Sequence, residues 1–558
     1  MGYTRQWFKS GTPWIWLNGG AVAFSMIMVA GLIGLIAVRG FGHFWPSDVA
    51  LINLTNASGE RSTLIGQLVR SQTVPAAVAR DSGETVPDDI ELVTRHLIKL
   101  GNRDQTGRDF AWYLELGMEP WQYPRDIMVV ERREWGNFYG QPLALLREGT
   151  VVATPDAANF MTELQAAVTR SIELHEEIRR LERGAVGRIN ARLERLRLDE
   201  RRLELDEPPA DVKAAELGRI AATRATLDDE YAVLRQELDV IYASTRRDTL
   251  QMRMADGNEV NISLAAIMRI TEPNAMSVFG KSAQYVERLW EFLTDDPREA
   301  NTEGGIFPAI FGTVTMVMVM SIIVTPFGIL AAIYLREYAK QGTMTRIIRI
   351  SVYNLAGVPS IVYGVFGLGF FVYYLGGSLD QLFYEAALPT PTFGTPGLFW
   401  ASLTLALLTL PIVIVSTEEG LARIPSTIRQ GSLALGATKS ETLWKVVVPL
   451  ATPAMMTGLI LAIARAAGEV APLMLVGVVK LAPALPIDAT FPFLHLDRKI
   501  MHLGFHIYDV GFQSPNVEAA RPLVYATALI LVILIMVLNL AAISIRNHLR
   551  ERYRSAGE

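Results

Sequence analysis

Six long runs with almost no charge constrain the fold of this 558-residue chain more than any other feature. A helix that spans a membrane needs about 20 mostly apolar residues, and each run meets that length. The runs lie at residues 10–38, 304–335, 350–379, 398–417, 446–480 and 522–545. The first is longer than the apolar part of a signal peptide, about 7–15 residues, so we expect it to be retained. The pattern predicts an all-α integral membrane protein with six transmembrane helices.

Composition supports a membrane protein and excludes several other classes. Half of the residues are apolar and 20% are charged, whereas a soluble protein has about 25% charged residues. The net charge of −5 argues against nucleic acid as a partner. The chain has no cysteine, which excludes disulfides, cysteine-ligated metals and cysteine nucleophiles.

The distribution of lysine and arginine predicts the orientation in the membrane. Basic residues concentrate in three segments, residues 336–349, residues 418–445 and the tail after residue 545, whereas residues 376–397 contain none. Short cytoplasmic loops carry an excess of Lys and Arg. We therefore expect both termini in the cytoplasm and the long segment 49–303 on the outside.

The segment 49–303 has the character of a soluble domain, and its patterns predict an α+β insert. Apolar residues recur at helical spacing over residues 160–241, with a break at Pro208 and Pro209, which favours a helical hairpin. Strands are expected within residues 126–135, 142–152 and 250–270. The predicted domains are 1–48 (N-terminus and helix 1), 49–303 (extracytoplasmic insert), 304–546 (permease domain) and 547–558 (cytoplasmic tail).

Three weaker motifs favour ordinary structural roles. Residues 275–282 resemble a phosphate-binding loop, but Ala275 replaces its first glycine, so we expect no nucleotide site. His502 and His506 are four residues apart, but the sequence fixes no third ligand, so no metal site is predicted. The methionines at 316, 318 and 320 are expected to fill space in a helix core.

The connection between the fourth and fifth spans is itself amphipathic. Gly436 interrupts its pattern midway, at a point where a tight or left-handed turn requires glycine. Thr438 and Glu441 form a capping box that begins a second short helix, and Pro449 follows that helix. The sequence predicts two short helices at about residues 424–448, which form either an interfacial pair or a rigid cytoplasmic knob that docks into a partner.

The order of residues 430–449 resembles the coupling motif of ABC importer permeases. Residues 462–473, Ala-Ile-Ala-Arg-Ala-Ala-Gly-Glu-Val-Ala-Pro-Leu, are similar to the PstA-type permeases of phosphate importers. The resemblance covers about residues 306–546. It implies that five residues contribute to coupling with the ATPase: Gln430, Gly431, Ser432, Gly436 and Pro449. The first three replace the Glu-Ala-Ala that is usual in the family.

The resemblance also implies a function and a set of partners. The expected function is a membrane permease subunit of an ATP-driven phosphate importer in the bacterial inner membrane, with no cofactor and no enzymatic step of its own. Expected partners are a sister permease, an ATPase dimer and a periplasmic phosphate-binding protein. The insert suggests a long form of the family. Alternatives are a permease for sulfate or molybdate, or a membrane-anchored sensor or scaffold that acts through its insert.

Arg465 and Glu469 stand out because they interrupt the fifth apolar run. A charge near the centre of a membrane helix costs at least about 2.5–3.5 kcal/mol, so such residues normally pair and face a protein interior. Residues four apart share one helical face, and Gly468 beside them permits close approach of another helix. Two interpretations follow: a structural ion pair, or a lining of the anion pathway in which Arg465 provides donors suited to phosphate oxygens.

Overall fold

A computed structural model describes residues 7–555 except 8, 56–60, 82, 88, 299–300, 302 and 515–516. The expectations for residues 1–6 and 556–558 therefore lie outside the described residues. Six helices are long and apolar enough to cross a membrane, which confirms the predicted number. These are span 1 (Thr12–Phe44), span 2 (Phe307–Tyr338), span 3 (Ser360–Phe383), span 4 (Leu398–Ala422), span 5 (Lys439–Gly468) and span 6 (Ala520–His548). The chain is a multi-pass membrane protein.

Two of the expected span limits are wrong, for identifiable reasons. Span 3 begins at Ser360 rather than at residue 350, because Pro359 separates it from the preceding helix Thr343–Leu355. Span 5 ends at Gly468 rather than at residue 480, because Glu469 has an extended backbone conformation, and the chain continues as a short helical turn, Leu473–Val476. A charge-free run therefore predicts burial but does not locate the end of a helix.

Span 4 is the most buried of the six spans and forms the centre of the membrane part. Its buried residues Leu405 and Val413 belong to one core cluster with Met316 and Met320 of span 2 and with Ala466 of span 5. The expectation for the methionines is thus confirmed at positions 316 and 320. The side chain at position 318 points outward instead.

Small residues allow the central spans to pack closely. A Cβ at Gly328 of span 2 would lie 2.6 Å from a methyl group of Val413 in span 4, and Gly458 of span 5 similarly faces Ser416. Close backbone approach at small residues is a main source of helix association in membranes. Span 1 lies at the periphery, where Gly40 near its end packs against the backbone at Ala526 of span 6.

The insert contains two larger antiparallel sheets. The first has the order β1-β2-β3-β4 and was not foreseen, whereas the second has the order β10-β5-β6-β8-β9 with β7 beside β6 and includes the predicted strands. A two-stranded pair, β11 and β12, precedes span 2. The strands are β1 Ala50–Thr55, β2 Arg61–Pro75, β3 Leu92–Lys99, β4 Phe110–Leu114, β5 Met128–Arg132, β6 Asn137–Arg147, β7 Thr150–Ala153, β8 Asp248–Arg253, β9 Glu259–Ser263, β10 Ile267–Thr271, β11 Pro297–Arg298 and β12 Glu303–Gly304.

The helices of the insert include the predicted hairpin. They are α1 Ala76–Asp81, α2 Arg103–Thr106, α3 Phe160–Arg180, α4 Gly187–Leu205, α5 Ala210–Thr245 and α6 Val278–Thr294. A π-helical turn, Leu181–Val186, joins α3 to α4, and α5 returns after Pro209. Ile189 and Leu196 of α4 pack with Ile220 and Leu227 of α5, which confirms the antiparallel hairpin.

Four further short helices belong to the membrane part. They are α7 Thr343–Leu355, α8 Ser426–Ala434, α9 Leu473–Val476 and α10 Leu503–Tyr508. Helix α7 lies between spans 2 and 3, and α8 lies between spans 4 and 5. Helices α9 and α10 lie in the segment between spans 5 and 6. The two connections that flank span 4 on opposite sides thus differ: residues 384–397 are largely irregular, whereas α8 is a compact helix.

Candidate functional site

The connection between spans 4 and 5 turns sharply at Gly436. This residue has φ +88°, a left-handed conformation that residues with a Cβ adopt only at a cost. Beyond the turn, Thr438 caps the next helix: its hydroxyl accepts from the Glu441 N–H at 3.2 Å, and Glu441 accepts from the Thr438 N–H at 3.0 Å. The predicted turn and capping box are therefore both present. We call residues 426–442 the coupling knob.

The second helix of the coupling knob is not a separate element, which corrects the expected boundary near residue 448. Lys439–Thr442 continues through a π-helical turn, Leu443–Val447, directly into the main helix of span 5. Pro449 therefore lies within continuous helix, directly after the π-helical turn, instead of following the end of a helix. The coupling knob is therefore joined to span 5 by continuous helix.

An ion pair fastens the coupling knob to the C-terminal end of span 2. Arg429 Nη2 lies 2.9 Å from Glu337 Oε1, and Arg429 Nη1 donates to the Ile424 carbonyl at 2.8 Å. Lys439 donates to the Glu337 carbonyl at 2.6 Å. Sequence reasoning missed these residues, although Glu337 is the one acidic residue in the basic segment 336–349. The two helices of the knob thus share a single anchor on span 2.

The outer surface of the coupling knob is open. Leu435, beside Gly436, is 91% exposed, and Gln430 and Gly431 are exposed on the same connection. Ser432 is half-buried, and its hydroxyl lies 2.8 Å from that of Thr442, which links the two helices of the knob. Beneath them lies a cavity of about 150 Å³ lined by Glu337, Arg429, Leu433, Lys439, Thr442, Leu443 and Val447. The coupling knob is thus fixed to span 2 on one side, and its other side, with Leu435, Gln430 and Gly431, is exposed.

Removing the Glu337 anchor should loosen the coupling knob. We expect Glu337→Ala to lower the stimulation of the expected partner ATPase several-fold while the chain still inserts, because Arg429 then loses its carboxylate partner, although the backbone carbonyl that accepts from Lys439 remains. The measurement is ATPase activity of the purified complex. Glu419→Ala is the matched control, since Glu419 is largely exposed and its ion pair with Arg423 is long, at 3.9 Å, and therefore weak. Equal ATPase activity of both variants would show that the ion pair of Glu337 with Arg429 does not contribute to coupling.

Arg465 and Glu469 do contact each other, but not as two residues of one helix. Arg465 lies in the last turn of span 5, and Glu469 lies just beyond the helix in an extended conformation. Arg465 Nε is 3.4 Å from Glu469 Oε1. The expectation of a shared helical face is therefore wrong, because the helix ends at Gly468. The C-terminal end of a helix also favours a cation, so Arg465 has a second source of stabilisation.

The same end of span 5 is left uncovered by this chain. Arg465 is 36% exposed, Glu469 is 20% exposed, and Gly468 is exposed. No described atom lies within 4 Å of a Cβ built at Gly468, so the predicted close approach of a helix is not made within this chain. Leu461, one turn earlier, is 52% exposed. A charged pair and a glycine thus lie on a face of span 5 that the described part of the chain leaves uncovered.

The weaker motifs have structural roles. Residues 275–282 form the start of α6, where Ser277 caps the helix by accepting from the Gly280 N–H, and Lys281 pairs with Asp48. His502 and His506 are both buried. Among the described residues, no group of three or more His, Cys, Asp or Glu side chains is arranged to hold a metal ion. Neither motif contributes a candidate site.

Comparison with known proteins identifies the relatives of the membrane part. Residues 324–555 match the family described as the binding-protein-dependent transport system inner membrane component. The phosphate transport system permease protein PstA 1 of Mycobacterium tuberculosis (strain CDC 1551 / Oshkosh) is 35% identical over 245 residues, which are 44% of this chain and 71% of that protein. PstA of Mycobacterium leprae is also 35% identical, over 44% of this chain and 71% of that protein.

A more distant relative shows the same pattern of coverage. PstA of Yersinia pestis is 31% identical over 255 residues, which are 46% of this chain and 76% of that protein. The family model begins at residue 324, so span 1 and the insert lie outside the matched range. Most of each PstA relative is therefore covered by fewer than half of the residues of this chain. The chain belongs to the family of binding-protein-dependent transport system inner membrane components and is a permease of the PstA type.

Proposed function

We propose that this chain forms half of the membrane pathway of an ATP-driven phosphate importer and couples that pathway to a separate ATPase. The observation that carries the proposal is the 35% identity to a phosphate transport permease of which 71% is covered. As a member of a permease family, the chain is a transport subunit rather than an enzyme. The substrate, the partners and the residue roles below are parts of this proposal.

Arg465 is proposed to meet the anion on the uncovered face of span 5. Its planar guanidinium presents several N–H donors in a fork that matches phosphate oxygens. Glu469 lies close enough to orient the guanidinium. The exposed Gly468 beside them leaves room for the partner helix that completes the other half of the pathway. Sulfate and molybdate offer similar oxygens, so the guanidinium fork by itself does not select phosphate among these anions.

The coupling knob is proposed to dock on the ATPase. Its exposed tip at Leu435 and its exposed residues Gln430 and Gly431 form the contact, while the anchor at Glu337 passes the movement to span 2. The continuous helix from Lys439 passes the same movement to span 5, whose far end carries Arg465. Closure of the ATPase dimer would therefore reach the anion pathway through two rigid routes.

The partners distinguish this proposal from a sensor or scaffold. We expect an affinity-tagged full-length chain, extracted from its native membranes in mild detergent, to copurify with a second permease, an ATPase and, when phosphate is present, a soluble phosphate-binding protein. A scaffold that acts through its insert predicts neither the ATPase nor the second permease. Their absence from a stable, monodisperse preparation would contradict the proposed assembly.

The insert is proposed to stand outside the cytoplasm, over the outer mouth of the pathway. The basic segments at 336–349 and 418–445 place the coupling knob in the cytoplasm, and the odd number of spans between the knob and the insert places the insert opposite. Its size and its charge exclude an irregular loop within the hydrocarbon. In this position it is able to shape the dock of the binding protein or to pack on the sister permease.

Cysteine labelling tests this topology directly, because the chain has no native cysteine. Single cysteines replace Arg192 or Asp199 on the hairpin, and a third variant replaces Arg423, which is largely exposed beside the coupling knob. In cells with a permeabilised outer membrane, an impermeant maleimide should label the hairpin positions but not position 423. The reverse pattern would invert the topology and remove the coupling knob from the reach of a cytoplasmic ATPase.

A further inference from the structure

Helix α6 (Val278–Thr294) exposes apolar side chains and directs most of its charged side chains towards the protein. A helix at a protein surface in water normally does the opposite. Its exposed side includes Phe279, Val286 and Trp290, which are 85%, 64% and 67% exposed. These three residues and Ala283 follow one another at helical spacing of three or four, so they form one stripe. We call these four residues the apolar stripe. A soluble amphipathic helix normally directs such a stripe into a core.

Three of the four charged residues of α6 point towards the protein instead, and the fourth, Glu287, is exposed but lies 3.4 Å from Arg269. Lys281 pairs with Asp48, Arg288 pairs with Glu131 of β5, and Glu291 pairs with Arg269 of β10. Burial alone would raise the pKa of the Glu131 carboxyl, but Arg288 and Arg269 outweigh burial and hold that pKa below its usual range. The polar side of the helix thus forms ion pairs with strands β5 and β10 of the insert.

A third side of α6 packs on the ends of the spans. Phe292 lies 5.0 Å, between ring centroids, from Phe44 at the end of span 1, and its carbonyl accepts from the Ile306 N–H at 2.8 Å, just before span 2. Leu289 and Phe292 also border a crevice formed by Phe41 of span 1 and Ile530 of span 6. The helix therefore lies at the level where the spans leave the apolar part of a bilayer.

The apolar stripe continues a surface that lipid must cover. The most apolar stretch of span 1 has no residue buried by the described protein, and Trp45, just after span 1, is 41% exposed. Trp45 also contacts Tyr285 of α6, with 6.1 Å between ring centroids. Tryptophan is enriched where membrane helices meet the headgroups, and an interfacial helix buries its apolar face about 5–10 Å into that boundary.

We propose that α6 is an interfacial helix whose apolar stripe lies in the lipid at the membrane surface on the side of the insert. Its charged side holds the sheet of the insert, and its stripe rests on the acyl and headgroup boundary beside span 1. The helix thereby fixes the height and tilt of the insert above the pathway. The inference requires only that the spans cross a membrane, and it is independent of the transported substrate.

Spin labels at single cysteines test this proposal in the assembled complex. Nitroxides at Val286→Cys and Trp290→Cys are compared with Ile27→Cys, which is 70% exposed on span 1, and with Arg192→Cys on the hairpin. The complex is reconstituted in vesicles of phosphatidylcholine and phosphatidylglycerol. Each label is then exposed to oxygen, which concentrates in hydrocarbon, and to a water-soluble nickel chelate, which does not.

The proposal predicts that positions 286 and 290 resemble position 27. Their relaxation by oxygen should exceed that by the nickel chelate at least about fivefold, because the polar chelate is excluded from apolar surroundings. A pattern like that of position 192 would place the stripe in water and overturn the proposal. Weak relaxation by both reagents would show that protein covers the stripe, with the sister permease as its occupant instead of lipid. Copurification of each labelled chain with the same subunits as the unlabelled chain serves to show native assembly.

Discussion

Arg465→Ala should abolish phosphate uptake while the complex still assembles. Charge-assisted hydrogen bonds contribute about 1.5–3 kcal/mol each, so the loss of a forked contact with two of them weakens binding of the anion at least about a hundredfold. Arg465 pairs with Glu469 and is partly exposed, so we expect its truncation to leave span 5 folded. The measurement is uptake of radioactive phosphate by cells that produce the variant as their only copy.

Two further variants separate transport from structure. Arg465→Lys keeps the charge but lacks the planar fork, so it should restore only part of the uptake. Arg219→Ala removes an exposed arginine on the hairpin that pairs only with its own helix, at Glu216, and should transport normally. Normal uptake by Arg465→Ala would remove this residue from the pathway. Loss of the variant complex from the membrane would assign it a purely structural role.

Gly436→Val should uncouple the ATPase from the pathway. A residue with a Cβ pays about 1–2 kcal/mol in the left-handed conformation observed here, and a β-branched residue pays more. Such a strain shifts the population of the correct turn about 5–30-fold or more, so stimulation of ATP hydrolysis by the loaded binding protein should fall by a similar factor. The readout is the ATPase activity of the purified complex. The variant and the unaltered complex are compared at equal amounts of this chain and of the ATPase subunit.

A nearby glycine provides the matched control. Gly431 is exposed on the same coupling knob and, like Gly436, has no described atom within 4 Å of an added Cβ, but it has ordinary helical backbone. Gly431 belongs to the proposed ATPase contact, but alanine is the residue usual in the family at this position, so Gly431→Ala should keep that contact and retain full stimulation. Gly436→Ala should already lose part of it. Equal effects of alanine at both positions would show that the surface of the knob, and not the shape of its turn, decides coupling.

The fold of the membrane part could be predicted from the sequence because hydrophobic length and charge are local signals. The limits of spans 3 and 5 could not be predicted, since Pro359 and the extended residue Glu469 lie inside apolar runs. In the insert, the hairpin followed from helical spacing, but the sheet β1-β2-β3-β4 did not. Its longest strand, Arg61–Pro75, exposes many residues and has no regular alternation, so only pairing with distant strands defines it.

The candidate site divides in a similar way. The turn at Gly436 and the cap at Thr438 were predicted, because each depends on its own residues and immediate neighbours. The anchor of Arg429 on Glu337 spans 92 positions in the sequence, and no local pattern reports such a contact. The π-helical turn before Pro449 was also missed, because sequence alone does not show where a helix changes its hydrogen-bond register.

The measurement that tests the central claim most directly is ATP-driven uptake of radioactive phosphate into vesicles that contain the purified complex of this chain and its copurifying subunits. The account predicts accumulation that requires both ATP and the binding protein, that unlabelled phosphate suppresses, and that excess sulfate or molybdate leaves unchanged. Accumulation of sulfate or molybdate in place of phosphate would contradict the assigned substrate. No ATP-dependent accumulation of any oxyanion by an intact complex would contradict the transport function itself.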